Sequence, residues 1–122
     1  MIDLELIFRA HMYSLDRLLV EVKELLGQKQ AESFGKEILG SIPTIPSLKD
    51  LPAVIAIAMR FEAIDEYTLS ASQLAVLDRE IERLGGKYLG KNRTRELLSS
   101  VAAGLPAAID RDFQAWLAQQ LQ

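Results

Sequence analysis

The chain has 122 residues and a net charge of −3, with 49% hydrophobic and 25% charged residues. A chain of this length is the size of one domain and buries about two-thirds of the surface that its unfolded form exposes, so a single hydrophobic core is expected. The absence of cysteine excludes disulfides, thiolate metal sites and cysteine nucleophiles, and it is typical of a reducing compartment. The acidic start of the chain and the lack of a long apolar run predict a cytoplasmic protein.

The first predicted element is a long amphipathic helix over residues 2–26, in which apolar residues recur every three or four positions between charged ones. Gly27 is expected to end it, and a shorter helix follows as far as Gly40. Two prolines in residues 41–50 exclude regular helix there, because proline lacks a backbone donor and fixes φ. This segment is therefore the first predicted connector.

The third predicted helix runs over residues 51–67 and contains the most apolar stretch of the chain, LPAVIAIAMRF. We expect it to be the buried central helix, with a polar face at its C-terminal end. A fourth helix should begin at Ser70, since Ser70 and Gln73 have the spacing of a capping box, and it should end at Gly85 and Gly86.

A fifth helix is predicted to begin with Asn92 or Thr94 as its cap and to break near Gly104. A sixth starts at Pro106 and carries aromatic residues on one side. No alternating strand pattern appears. The sequence therefore predicts an all-α, single-domain bundle of about five to six helices over residues 1–122, with flexible connectors near 41–50 and 85–92.

Two groups of residues are candidates for catalysis or metal binding. His11 is the only histidine and lies at the apolar face of the first helix, where a hydrogen-bonded histidine at the edge of the core is favoured over a Ser/His/Asp relay. Glu62, Asp65 and Glu66 have helical spacing and oxygen ligands suited to Mg²⁺, but helical bundles usually add a Glu-x-x-His pair, which this chain lacks. We therefore predict no enzyme activity, no metal site, no cofactor and no small-molecule substrate.

The segment 85–95, GGKYLGKNRTR, is the strongest candidate for a binding site and is called the basic segment below. It contains four cations and no acid in a chain that is acidic overall. The cations can contact phosphates, the Tyr88 ring offers a platform for stacking a base, and the glycines allow close approach of the backbone. The predicted nucleic-acid-binding residues are Lys87, Tyr88, Lys91, Arg93 and Arg95. A solvated connector between two helices is the alternative interpretation.

With these features the chain resembles the small helical subunits of CRISPR effector complexes of the Cascade type. The resemblance lies in its length, its all-α pattern, its lack of cysteine and of a catalytic constellation, and its positive residues Lys87, Lys91, Arg93 and Arg95. It implies a non-catalytic subunit of a nucleoprotein assembly in antiviral defence. Such a subunit would contact the backbone of RNA or DNA without reading sequence, and other protein subunits would cover much of its surface.

Two other functions remain open. An adaptor with no role in nucleic-acid binding would use Phe113 and Trp116 as aromatic anchors for a protein partner, although Trp116 fits the core equally well. A helix-turn-helix regulator would pair residues 70–84 with 92–103, but the second of these helices carries few side chains that read bases.

Overall fold

The computed structural model describes all 122 residues and contains six α-helices and no β-strand, which confirms the predicted all-α fold. Two short 3₁₀ turns precede the third and fourth helices. The helices are α1 (Leu4–Leu26), α2 (Gln28–Leu39), α3 (Leu51–Met59), α4 (Ala71–Leu89), α5 (Lys91–Gly104) and α6 (Ala107–Gln120), and the 3₁₀ turns are Leu48–Asp50 and Asp65–Tyr67.

The central helix of the bundle is α1, which contacts each of the other five α-helices. The apolar residues on its inner faces are buried along more than four turns, from Ile7 and Phe8 to Val22. The expectation that the third helix is central was wrong. Although α3 is the most apolar helix, it has only nine residues, and its Pro52 and Ala53 are exposed.

Helix α3 also ends at Met59, eight residues earlier than its sequence predicts. The cause is a tertiary contact with Arg9 of α1, whose guanidinium is buried and donates hydrogen bonds of 2.8 Å to the carbonyl oxygens of Ala58 and Glu62. Phe61 adopts a positive φ of 58°, and the centroid of its ring lies 5.0 Å from the guanidinium carbon of Arg9. Arg9 thus satisfies the carbonyls at the end of α3, and the chain turns there.

Helix α4 continues through Gly85 and Gly86, where the sequence predicts its end. A Cβ atom on Gly85 would lie 2.5 Å from Cγ2 of Thr94, so this glycine allows α4 and α5 to pack closely. The break occurs at Gly90, the only residue between the two helices, whose φ of 86° favours glycine. The predicted flexible connector near 85–92 is therefore helical except at one residue.

Helix α5 starts earlier than the sequence predicts, at Lys91. Asn92 and Thr94 lie inside the helix, and the residue before the first turn, Gly90, has no side chain to cap it. The Thr94 hydroxyl instead donates a 2.8 Å hydrogen bond to the Gly90 carbonyl. Two other predicted boundaries are confirmed: Gly27 ends α1 with a φ of 94°, and the Ser70 capping box starts α4.

The two adjacent glycines of α4 provide a test of this packing. We expect Gly85→Ala to lower the free energy of unfolding by about 1–3 kcal/mol, because the added methyl group overlaps Thr94. Gly86→Ala meets nothing within 4 Å and should raise it by about 0.5–1 kcal/mol through helix propensity. Urea unfolding measures both. Equal stability of the two variants, or no recovery on adding Thr94→Ala to Gly85→Ala, would contradict this account.

Candidate functional site

In the folded chain the five predicted binding residues lie on three different surfaces. Lys87 and Tyr88 face α2, where both contact the same carboxylate. The Lys87 ammonium donates to Glu37 Oε1 at 2.8 Å, and the Tyr88 hydroxyl donates to Oε2 at 2.6 Å. The Tyr88 ring also packs edge-on against Phe34, with centroids 5.4 Å apart. Tyr88 is therefore part of the α2–α4 contact and is not a free stacking platform.

These contacts change the acid–base properties of the groups involved. Hydrogen bonds from Lys87 and Tyr88 to the ionised carboxylate lower the pKa of Glu37. The same hydrogen bond, together with partial burial, raises the pKa of Tyr88. Both shifts favour the charged Glu37 with a neutral Tyr88, which is the arrangement that the geometry shows.

Arg93 is turned toward α1. Its Nε donates a 2.6 Å hydrogen bond to Oε2 of Glu21, a carboxylate that is only 4% exposed, and its Nη1 contacts Glu96 at 3.2 Å. These hydrogen bonds raise the pKa of Arg93. Arg17 approaches the other oxygen of Glu21 at 3.7 Å. The Arg93 guanidinium therefore neutralises a buried acid and joins α5 to the central helix.

Lys91 and Arg95 are the two predicted cations that form no ion pair within 4.0 Å. They lie one turn apart on α5 and line a groove of about 840 Å³ between α4, α5 and α6, which we call the basic groove. Arg79 and Arg83 line it from α4. Arg83 is paired with Glu80 through two hydrogen bonds, whereas Arg79 forms no ion pair.

The sequence interpretation missed Arg79 and Arg83 because they lie outside the basic segment. Their spacing of four residues in a predicted helix places them on one face, and that was the available signal. Nothing in the sequence indicates which face of α4 meets α5. That orientation follows from the single-residue break at Gly90 and the close contact at Gly85.

The acids of the basic groove are Asp78 and Glu82, and Asp78 is bound to His11 at its floor. The two ring nitrogens of His11 lie 2.8 Å from the Ile7 carbonyl oxygen and 3.0 Å from Asp78 Oδ1. Both ring nitrogens of His11 therefore have hydrogen-bond partners inside the fold, and the side chain joins α1 to α4. The hydrogen-bonded histidine predicted from the sequence is confirmed.

Phe113 and Trp116 of α6 pack on the same imidazole. Their ring centroids lie 5.6 Å and 5.3 Å from that of His11, both nearly perpendicular to it, and they are 9% and 2% exposed. These two side chains offer little exposed surface to the predicted partner interface, and Phe113 reaches the surface where it lines the basic groove. Trp116 instead occupies the core, as the alternative interpretation proposed.

The acids considered for a metal site do not share a helix. Glu62 lies in the turn after α3 and its carboxylate pairs with Arg60, while Asp65 and Glu66 belong to the following 3₁₀ turn. No group of three or more histidine, aspartate or glutamate side chains is close enough to hold a metal ion. None of the helices has the length and apolar character needed to cross a membrane.

A family model described as a family of unknown function, DUF7469, matches residues 2–122. The chain belongs to this family. No curated protein and no solved structure matches the chain. The description of the DUF7469 family assigns no activity to its members.

The Glu37 contacts predict a pH-dependent contribution to stability. Because folding lowers the pKa of Glu37 below its ordinary value of 4.5, the contribution is present above that pH and is lost as the pH falls through the lowered value. We expect Glu37→Gln to be less stable than the wild type at pH 7 and equally stable in acid, as measured by urea unfolding across pH. Glu32→Gln, on the same helix, is the control. A stability difference that does not change with pH would contradict the prediction.

The hydrogen bond between His11 and Asp78 predicts a difference between two substitutions of the acid. Asp78→Ala leaves the buried Nε2 of His11 without its partner and should lower the free energy of unfolding by about 1–3 kcal/mol. Asp78→Asn should cost less, because the asparagine amide can still form a hydrogen bond with Nε2. Urea unfolding measures both losses. Equal losses in the two variants would contradict this account.

Proposed function

We propose that the chain is a non-catalytic helical subunit of a larger nucleoprotein assembly and that its basic groove binds the phosphate backbone of nucleic acid. The observation that carries this proposal is the position of Lys91 and Arg95. They are unpaired, one turn apart, and line the same groove as the unpaired Arg79 of α4.

Free cations matter here because a cation already paired with a protein carboxylate contributes little to binding a phosphate. Lys87 and Arg93 each have such a partner, so the proposal assigns them to the fold. Lys91 and Arg95 are separated by about 6 Å along the helix axis, which suits contact with neighbouring phosphates of one strand. Binding through such contacts releases counterions and weakens as salt rises.

The composition of the basic groove supports binding that does not depend on sequence. Its lining contains no asparagine or glutamine, the side chains that recognise adenine through paired hydrogen bonds. Serine and threonine hydroxyls line it beside the cations, and Leu98, Phe113 and Leu117 supply its apolar part. The cations can contact phosphates and the hydroxyls can contact phosphates and sugars, and such contacts carry no sequence information.

The proposal includes protein partners in the assembly as well as nucleic acid. A chain of net charge −3 with one basic groove suits a subunit that meets nucleic acid on one side and protein on others. The resemblance to small subunits of CRISPR effector complexes names one assembly to test, by co-purification with a guide RNA and the larger subunits. A cytoplasmic location belongs to the same proposal.

The test measures binding of labelled single-stranded RNA and of duplex DNA by fluorescence anisotropy at several salt concentrations. We expect Lys91→Ala/Arg95→Ala to weaken binding about tenfold or more and to reduce the slope of log K against log salt by about 2. The control, Lys29→Ala/Lys36→Ala, removes the same charge from the exposed surface of α2 and should change neither quantity.

Three outcomes would overturn the proposal. Equal losses in the two double variants would mean that net charge alone drives binding. No binding by the wild type at low salt would favour the adaptor with no role in nucleic-acid binding. A strong preference for one duplex sequence would favour a regulator of the helix-turn-helix type.

A further inference from the structure

The central helix α1 contributes to a second groove of the molecule. This groove shares no lining residue with the basic groove. Asp16, Leu19, Val20 and Lys23 are spaced by three and four residues, so they form one face of α1, which we call the α1 stripe. The stripe lies along a groove of about 1000 Å³ between α1, α2 and α3. Val20 is 40% exposed, so this groove is shallow enough for another helix to reach α1.

The α1 stripe is arranged symmetrically about the midpoint between Leu19 and Val20. The apolar pair is at the centre, Asp16 lies three residues before it, and Lys23 lies three residues after it. When two identical helices pack antiparallel across a two-fold axis, each residue faces the one equally far on the other side of the midpoint. Asp16 would face Lys23 of a second copy, twice, and the apolar pair would meet its own copy between them.

Neither charged residue of the stripe is used within the chain. Asp16 and Lys23 form no ion pair within 4.0 Å. Partial burial raises the pKa of the Asp16 carboxyl, an effect that neighbouring Arg17 only partly opposes. A cation from outside would therefore relieve a desolvated carboxylate. The remaining rim of the groove carries both signs, which suits a surface that binds its own copy.

The flanks of the stripe also permit close approach. On the α3 side the groove is lined mainly by apolar side chains, among them Pro52, Ala56 and Met59, which a facing helix could contact. At the end of α1, Leu26 follows Lys23 by three residues, is 45% exposed and continues the apolar surface beyond the stripe. Exposed apolar residues that adjoin one another in this way mark interaction surfaces more often than isolated ones do.

We propose that the chain forms a homodimer by antiparallel pairing of two α1 stripes across a two-fold axis, with Asp16 of each copy bound to Lys23 of the other. The proposal does not rest on nucleic-acid binding. The partner in this case is a second copy of the same protein and not a nucleic acid, and the test needs no nucleic acid.

The test measures molar mass by light scattering and sedimentation equilibrium over a range of protein concentrations. We expect the wild type to dimerise. Asp16→Lys alone and Lys23→Asp alone should each raise the dimer dissociation constant about 10- to 100-fold, because like charges then face each other at both contacts. Mixing the two single variants should restore a dimer containing one copy of each, and the double variant Asp16→Lys/Lys23→Asp should restore the homodimer.

A matched pair of valines provides the control. Val20→Glu places a charge at the centre of the stripe and should give a monomer, whereas Val76→Glu, on α4 with a similar exposure of 42%, should leave the dimer intact. Circular dichroism checks that each variant is folded. A wild type that stays monomeric at every concentration would overturn the proposal. A wild-type dimer whose dissociation constant is unchanged by the two single charge reversals would also overturn it. So would a failure of the two single variants to form a mixed dimer. Both outcomes can be read even if Val20→Glu fails to fold.

Discussion

The fold depends on the burial of the inner faces of α1, a helix of 23 residues that contacts each of the other five. A helix in that position must bury whatever polar side chains its sequence places on its inner faces, and each of these needs a partner. Arg9, His11 and Glu21 are at most 4% exposed, and no buried side-chain nitrogen or oxygen in the chain lacks a hydrogen-bond partner.

Each of the three buried polar residues joins α1 to a different part of the bundle. Arg9 binds the carbonyl groups at the end of α3, and His11 binds Asp78 of α4 beneath the aromatic rings of α6. Glu21 binds Arg93 of α5. Hydrogen bonds are directional where apolar packing is not, so these contacts help to fix the positions of α3, α4 and α5 along α1.

The same constraint explains why the basic segment does not act as one site. Its cations lie on two helices, and the internal acids Glu37 and Glu21 engage Lys87 and Arg93. The charges that remain for a ligand are those on the outer face of α5, with Arg79 across the groove. A cluster of charge in the sequence thus overstates the charge available on the surface, because part of it neutralises acids elsewhere in the chain.

By itself the sequence determined the all-α class, the long first helix, and the boundaries at Gly27 and Ser70, because periodicity and capping act over a few neighbouring residues. It also indicated that His11 is held at the core. Only the tertiary structure decided where α3 ends, that α4 runs on to Gly90, and which cations face solvent. Those features depend on contacts between residues tens of positions apart, such as Arg9 with Ala58, and no local pattern encodes them.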